Sequence, residues 1–284
     1  MKLYPLFVGL LLLVACTTPL SGKTTIITTT FPLYEFASEV AGDHADVILI
    51  LPKQSDPHSF DPTINDLTLI ANADLFIYTD IQLEEWTQDV LPTLETDLKM
   101  IQASDVLEED EKREGDPHIW LDPRIDQRIV TKIADALSQI DKRHTDDYTK
   151  NAESYNEQLG ILQTKLSSSL NNCLSKKLVV AGHASFAYLV EPYKIGQIAA
   201  ISPSDEAELL PETLLTLISL TRESDVKSIF YQKGKSTDIA KIIVEETGAS
   251  MYPLDTGVSQ GEQSFLMVME ENRQNLIQGL QCSP

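Results

Sequence analysis

From Thr24 onward, apolar runs of strand length alternate with segments whose apolar residues recur at helical spacing. TTIITTT (24–30) is β-branched and predicts a strand. PLYEFASEVA (32–41) predicts a helix that Gly42 stops. ADVILIL (45–51) reads as a buried strand, INDLTLIANA (64–73) as a short helix and DLFIYT (74–79) as a strand. EEWTQDVLPTL (84–94) predicts a helix and KMIQA (99–103) a strand. Such alternation implies a parallel sheet with helices on its faces.

The pattern changes at Pro123. Ile125, Ile129, Ile133, Ala136, Leu137 and Ile140 recur at helical spacing. After KRHTDDY, a long polar-rich helix carries Tyr148, Tyr155, Leu159, Leu162 and Leu166 on one stripe. A helix of about 25 residues is roughly 35–40 Å long, the size of a lobe, so it would serve as a spine. The alternation then restarts. KKLVVAG (176–182), IGQIAAI (195–201), VKSIFYQ (226–232) and ASMYPLD (249–255) predict strands. SFAYLVEPY (185–193), ELLPETLLTLISLTRES (208–224), TDIAKIIVEETG (237–248) and SFLMVMEENRQNLIQGL (264–280) predict helices. The expected fold is α/β. It has two lobes, each with a four-stranded, mainly parallel sheet flanked by helices, joined by one spine helix. The divisions fall at 24–144, 145–172 and 173–284.

The N-terminus stands apart from this pattern. MKLYPLFVGLLLLVAC has a positive Lys2 and an apolar run too short to span a bilayer, which needs about 20 residues. It ends in Leu13-Val14-Ala15-Cys16, a lipobox. Residues 1–15 are therefore expected to be a lipoprotein signal peptide, Cys16 the lipidated residue and 16–23 a tether. The protein would be anchored to a bacterial membrane on its extracytoplasmic side. In such an oxidising compartment Cys173 and Cys282 are expected to pair, two separate buried thiols being the alternative. The formal net charge of −21 argues against a nucleic-acid partner. No GxGxxG or GxxxxGK[ST] supports nucleotide binding.

The chain has five histidines. His44 in GDHAD and His144 in DKRHTDD lie in polar sequence and are expected to be solvent-exposed. His58, His118 and His183 follow predicted strands, and Asp255 in YPLDTG ends one. Ligands of open parallel sheets bind at the carboxyl ends of strands. Four such groups, two from each half, would suit a divalent cation, because neutral imidazole and carboxylate are both good ligands for one.

Here the sequence resembles the metal-binding lipoproteins of bacterial ABC transporters, the zinc and manganese solute-binding proteins. The resemblance runs from about 24 to 282 and rests on SDPHSFDPTINDL, ADLFIYTDIQLEEW, DPHIWLDP, VVAGHASFAYL, AISPSDEAE and EETGASMYPLDTG. It implies metal ligands His58, His118, His183 and Asp255, and two βα lobes joined by a rigid helix. It also implies a monomer that delivers its metal to the membrane subunit of an ABC permease. The chain departs from the family pattern where Ser59-Phe60-Asp61 follows the first ligand, and where LDTG replaces the more usual LDPLG.

Three imidazoles and one carboxylate favour Zn2+, with Mn2+ the alternative. An enzyme is not expected. Glu206 and Glu208 are conceivable bases for a metallohydrolase, but no HExxH motif exists and four protein ligands would close the site. A surface adhesin with a structural metal is the other alternative. Trp86 and Trp120 read as core residues, with Trp120 buttressing the loop of His118. Asp56 and Asp116, which precede the prolines of the two Asp-Pro-His stretches, are candidate acceptors behind the ligands.

Overall fold

The computed structural model describes residues 22–94, 97–201, 211–223 and 226–283. Cys16, the signal segment, Glu206 and Glu208 lie outside them.

The first lobe runs β1 (Thr24–Thr28), α1 (Phe31–Ala41), β2 (Ala45–Leu49), α2 (Ile64–Ala71), β3 (Leu75–Tyr78), α3 (Trp86–Val90) and β4 (Lys99–Gln102). Helices α4 (Pro123–Ile140) and α5 (Thr145–Leu170) follow. The second lobe runs β5 (Lys177–His183), α6 (Ala187–Val190), β6 (Gly196–Ile201), α7 (Pro211–Glu223), β7 (Ser228–Gln232), α8 (Asp238–Thr247), β8 (Ser250–Leu254) and α9 (Phe265–Gly279).

Both sheets are four-stranded, with orders β2-β1-β3-β4 and β6-β5-β7-β8, and every pairing is parallel. The two lobes therefore share one topology. Each has a switch point beside its first strand, where crossovers leave in opposite directions and open a crevice at the strand ends.

Period-two alternation explains the layering. Along β1, Ile26 enters the central core and Ile27 the outer core of the first lobe. Leu75 and Ile77 of β3 face inward, whereas Phe76 and Tyr78 face outward. In β5, Leu178 and Val180 join the central core, and Val179 and Ala181 the outer core of the second lobe. Because both faces are covered, β3 and the middle of β5 read as continuous apolar runs rather than as alternating ones.

The central core is common to both lobes, and α5 runs through it. Tyr148, Ala152, Tyr155, Leu159, Leu162, Leu166 and Leu170 are buried along its 26 residues. The helix packs against α1, α4 and α9. At its far end a disulfide joins Cys173 to Cys282, just past α9. Closing a loop of 109 residues contributes at most about 4–5 kcal/mol on the chain-entropy model.

Two predicted helices are shorter than expected. EEWTQDVLPTL is helical only over Trp86–Val90, and Leu91–Thr93 is a 3-10 turn. SFAYLVEPY is helical over Ala187–Val190, and Glu191–Tyr193 is again a 3-10 turn. Pro92 and Pro192 sit in these turns. Proline lacks the N–H that an α-helix needs and crowds the preceding turn, so each helix tightens as it meets one. The long helices end as expected; α8 stops at Gly248, with φ +72°.

Candidate metal centre

Each of the three histidines is positioned by its own local device. His58 follows β2 in a 3-10 turn, Pro57–Ser59, whose first residue is proline. Asp56 Oδ1 accepts the backbone N–H of His58 at 3.1 Å. The second Asp-Pro-His repeats this: Asp116 Oδ1 accepts the N–H of His118 at 3.0 Å. An Asp that accepts the N–H two residues on makes an Asx-type turn, and the intervening proline fixes φ. The motif is thus a rigid presenter for the imidazole that ends it.

His183 is presented differently. Strand β5 extends through it, one residue farther than predicted. The pairing of β5 with β6 shifts register between Val180 and His183. Such an irregularity re-aims a side chain at a strand end.

The three rings converge. Their centroids are 5.4 Å apart for His58 and His118, 5.0 Å for His58 and His183, and 5.3 Å for His118 and His183. One ring nitrogen of each lies within 4.8 Å of the other two. Among the described residues this is the one group of three or more His, Cys, Asp or Glu side chains so disposed. Two members come from the first lobe and one from the second.

The surroundings of His118 and His58 orient the one ring and hold the other neutral. His118 is only 4% exposed, and its Nδ1 lies 2.7 Å from Asp116 Oδ1. The carboxylate accepts the Nδ1 proton, which leaves Nε2 as the lone-pair nitrogen. His58 Nε2 is buried without a hydrogen-bond partner. Burial, reinforced by the facing His118 and His183, pushes the His58 pKa down to about 4. Zinc bonds to nitrogen of about 2.0–2.1 Å place tetrahedral ligand atoms about 3.3–3.4 Å apart. Closing the triad onto such an ion needs contractions of at most about 1.5 Å from the observed 4.8 Å bound.

Asp255 follows β8, and Asn272 of α9 holds it through two backbone bonds. The Asp255 N–H donates to Asn272 Oδ1 at 2.8 Å, and its carbonyl accepts from Asn272 Nδ2 at 2.7 Å. Its carboxylate is engaged elsewhere. Oδ1 accepts the Gly257 N–H at 2.9 Å, and Oδ2 lies 3.8 Å from Lys233 Nζ. The structure gathers the three histidines and leaves Asp255 outside their group.

Lys233 and Lys235 were not singled out from the sequence. They flank Gly234, whose φ of +83° gives a tight turn after β7. Lys235 crosses to the first lobe and pairs with Asp56. This pairing and the His58 N–H outweigh the effect of burial and lower the Asp56 pKa. The available signal was a Lys-Gly-Lys turn at a strand end in a strongly acidic chain.

Trp120 is 1% exposed, with its ring 5.3 Å from that of His118. Its Nε1 donates to Thr256 O across the lobes at 2.7 Å, so it ties the loop of His118 to the segment after β8. His44 and His144 correct an expectation. They are half-buried, stacked 3.9 Å apart, and paired with Asp147 and Asp141 respectively.

Residues 26–279 match the family described as zinc-uptake complex component A, periplasmic. The chain belongs to that family. The zinc-binding lipoprotein AdcA of Streptococcus pneumoniae is 31% identical over 295 residues, which cover 94% of this chain and 58% of AdcA. This family member thus spans a little over half the length of the AdcA relatives. The zinc-bound ZnuA-like domain of pneumococcal AdcA superposes with a TM-score of 0.81 at 31% identity, over 91% of this chain and 99% of that domain. The laminin-binding protein Lmb of Streptococcus agalactiae, described as bifunctional with adhesin and metal-transporting activity, gives 0.82 at 30% identity, over 90% and 99%.

Proposed function

We propose that this chain is an extracytoplasmic solute-binding protein that captures Zn2+ and delivers it to an ABC permease. The observation that carries the reading is the convergence of three imidazoles from both lobes, with the buried His58 Nε2 left without a partner. All three donors are nitrogens of borderline softness, which suits zinc better than the harder manganese. The zinc-bound state of the AdcA domain supports the same choice.

His58, His118 and His183 bind the ion in this reading. Asp255 is the fourth ligand, swinging from Gly257 and Lys233 once a cation arrives to replace the lysine charge. Tetrahedral closure by four protein ligands leaves no open position for water, which is the arrangement of a carrier rather than a hydrolase. The chain acts as a monomer of two lobes about α5, held to the membrane through lipidated Cys16. Among the described residues no helix is long and apolar enough to cross a membrane.

The test is metal analysis of protein purified without added metal, with Zn2+/Mn2+ competition on wild type, His58→Ala and Asp255→Ala. One zinc per chain is expected, lost in His58→Ala and weakened in Asp255→Ala. No stoichiometric metal in wild type, or unchanged zinc in His58→Ala, would overturn the reading.

A further inference from the structure

Residues 108–116 form the charged loop between β4 and His118, and they hold two cations among six acids. The two cations are used differently. Lys112 stays within the loop and pairs with Glu109 at 2.8 Å. Arg113 crosses to the second lobe. Its Nε donates to Glu191 Oε2 at 2.7 Å, and its guanidinium carbon lies 4.4 Å from the centre of the Tyr188 ring. Its backbone N–H donates to the Tyr188 hydroxyl at 3.3 Å. A planar guanidinium can lie over a ring and present an edge to a carboxylate at once, which an ammonium cannot. Tyr188 is 1% exposed and belongs to the central core, so Arg113 grips a fixed surface.

This grip lies between two of the converging histidines. On the second-lobe side, Tyr188 belongs to α6, and Glu191 opens the 3-10 turn that follows it. β5 ends at His183 and α6 begins at Ala187, with the Ser185 N–H donating to His183 O at 3.0 Å between them. On the first-lobe side, the Asp116 N–H donates to the Arg113 carbonyl at 3.1 Å and closes a tight turn, with Gly115 at φ +73°. Asp116 Oδ1 in turn takes the backbone and ring N–H of His118. Glu111 braces the same loop. Its carboxylate pairs with Arg128 of α4, and its carbonyl accepts Arg113 Nη1 at 2.8 Å. An unbroken run of contacts thus joins the His118 ring to the helix that follows His183.

We propose that Arg113 is a positioning residue that latches the loop of His118 to the second lobe and so sets how fast the bound ion leaves. The effect on release rests on the triad being the cargo site; the latch itself does not. His118 is 4% exposed, so an ion it holds leaves as a ligand-bearing loop moves. The Gly115 turn and the Asp116 bonds make residues 113–118 move as one piece, and Arg113 ties that piece to α6. Withdrawing His118 from His183 therefore breaks the contacts with Glu191 and Tyr188. The Glu191 side chain is 42% exposed, so its ion pair alone is weak. The ring contact and the backbone bond add to it. Their sum slows release without preventing it. Arg113 acts on the ligand through Asp116.

The experiment uses the full chain loaded with one equivalent of Zn2+, with release to an excess of zinc-selective fluorescent chelator timed. Release should quicken about tenfold in Arg113→Ala and about threefold in Glu191→Ala, with the double variant matching Arg113→Ala alone. Arg113→Lys keeps the charge without the planar fork and should fall between wild type and Arg113→Ala. Lys112→Ala removes the neighbouring cation, which makes no contact with Glu191 or Tyr188, and should release zinc at the wild-type rate. Wild-type release in Arg113→Ala, effects that multiply in the double variant, or equal quickening in Lys112→Ala would overturn the proposal. A second arm reads the latch without metal. In zinc-free protein, amide hydrogen exchange over residues 113–121 should quicken in Arg113→Ala and Glu191→Ala, while exchange in α5 stays as in wild type. Unchanged exchange over 113–121, or faster exchange in α5 as well, overturns the latch. Should wild type hold no zinc, the cargo reading fails, and the exchange arm still decides the latch.

Discussion

The two Asp-Pro-His motifs place their aspartates alike on the backbone, yet the side chains do different work. Asp116 holds the ring of its histidine, whereas Asp56 holds a lysine from the opposite lobe. Asp116→Asn should therefore cost about 10–100-fold in zinc affinity by chelator competition, since it removes the charge that orients and enriches the ring. Asp56→Asn should cost less, because its hydrogen bond to His58 is to the backbone N–H alone. Equal losses would contradict this division. His58 gives a second residue-level prediction. In the unfolded chain its imidazole protonates near pH 6.5, but in the fold only near pH 4. As pH falls, the unfolded chain takes up the proton first. The stability tied to a neutral His58 is thus full above about pH 6.5 and is lost progressively toward pH 4. In metal-free protein, the fall in thermal midpoint between about pH 7 and pH 4.5 should be smaller for His58→Gln than for wild type. Parallel falls would remove His58 from the acid response. The three converging histidines were legible in sequence because their motifs are local. The lysine partners were not, because Asp56 and Lys235 are 179 residues apart and only the fold brings them together.

At the scale of elements, apolar and β-branched runs located every described strand, most plainly β3, which is covered on both faces and apolar along its whole length. Ends were less legible. β5 runs one residue past the sequence reading, and α3 and α6 tighten into 3-10 turns at prolines inside the predicted helices. These ends matter, since His183 is the last residue of β5. Close packing of α9 on the second sheet was invisible to periodicity. At Gly279 an added Cβ would stand 2.3 Å from Phe230 Cζ and 2.9 Å from its Cε1. Gly279→Ala should therefore destabilise by about 1–3 kcal/mol through overpacking, despite the better helix propensity of alanine. Chemical denaturation would measure it, and a neutral or stabilising change would mean that Phe230 yields freely. The effect would reach the site indirectly, because α9 also carries the Asn272 that clamps Asp255.

For the whole molecule, the question is how far two lobes sharing one core can move. α5 contributes buried side chains to that core along its entire length, so bending it would open apolar surface on both sides. Further ties cross between the lobes. The Phe31 N–H donates to Val258 O at 3.0 Å, the Phe265 N–H to Glu35 Oε2 at 2.7 Å, and Ser259 Oγ to Ser55 O at 2.8 Å. With the Trp120 bond, these lie among residues that a wide hinge motion would separate. The sequence suggested the spine but could not reveal these ties, each of which has a backbone group on at least one side and a partner far away in the chain. The Lys235–Asp56 pair is of another kind, since it joins two loop side chains directly beside His58. Metal capture should accordingly rearrange loops rather than lobes. Solution scattering of metal-free and zinc-loaded protein should give radii of gyration within about 1 Å of each other. Lys235→Ala should leave that difference as small while speeding zinc release, because it frees the Asp56 loop without touching the core. A radius that shrinks by several ångströms on zinc binding would show that α5 bends after all. A variant that releases zinc at the wild-type rate would show that the loop holding His58 is rigid without its lysine.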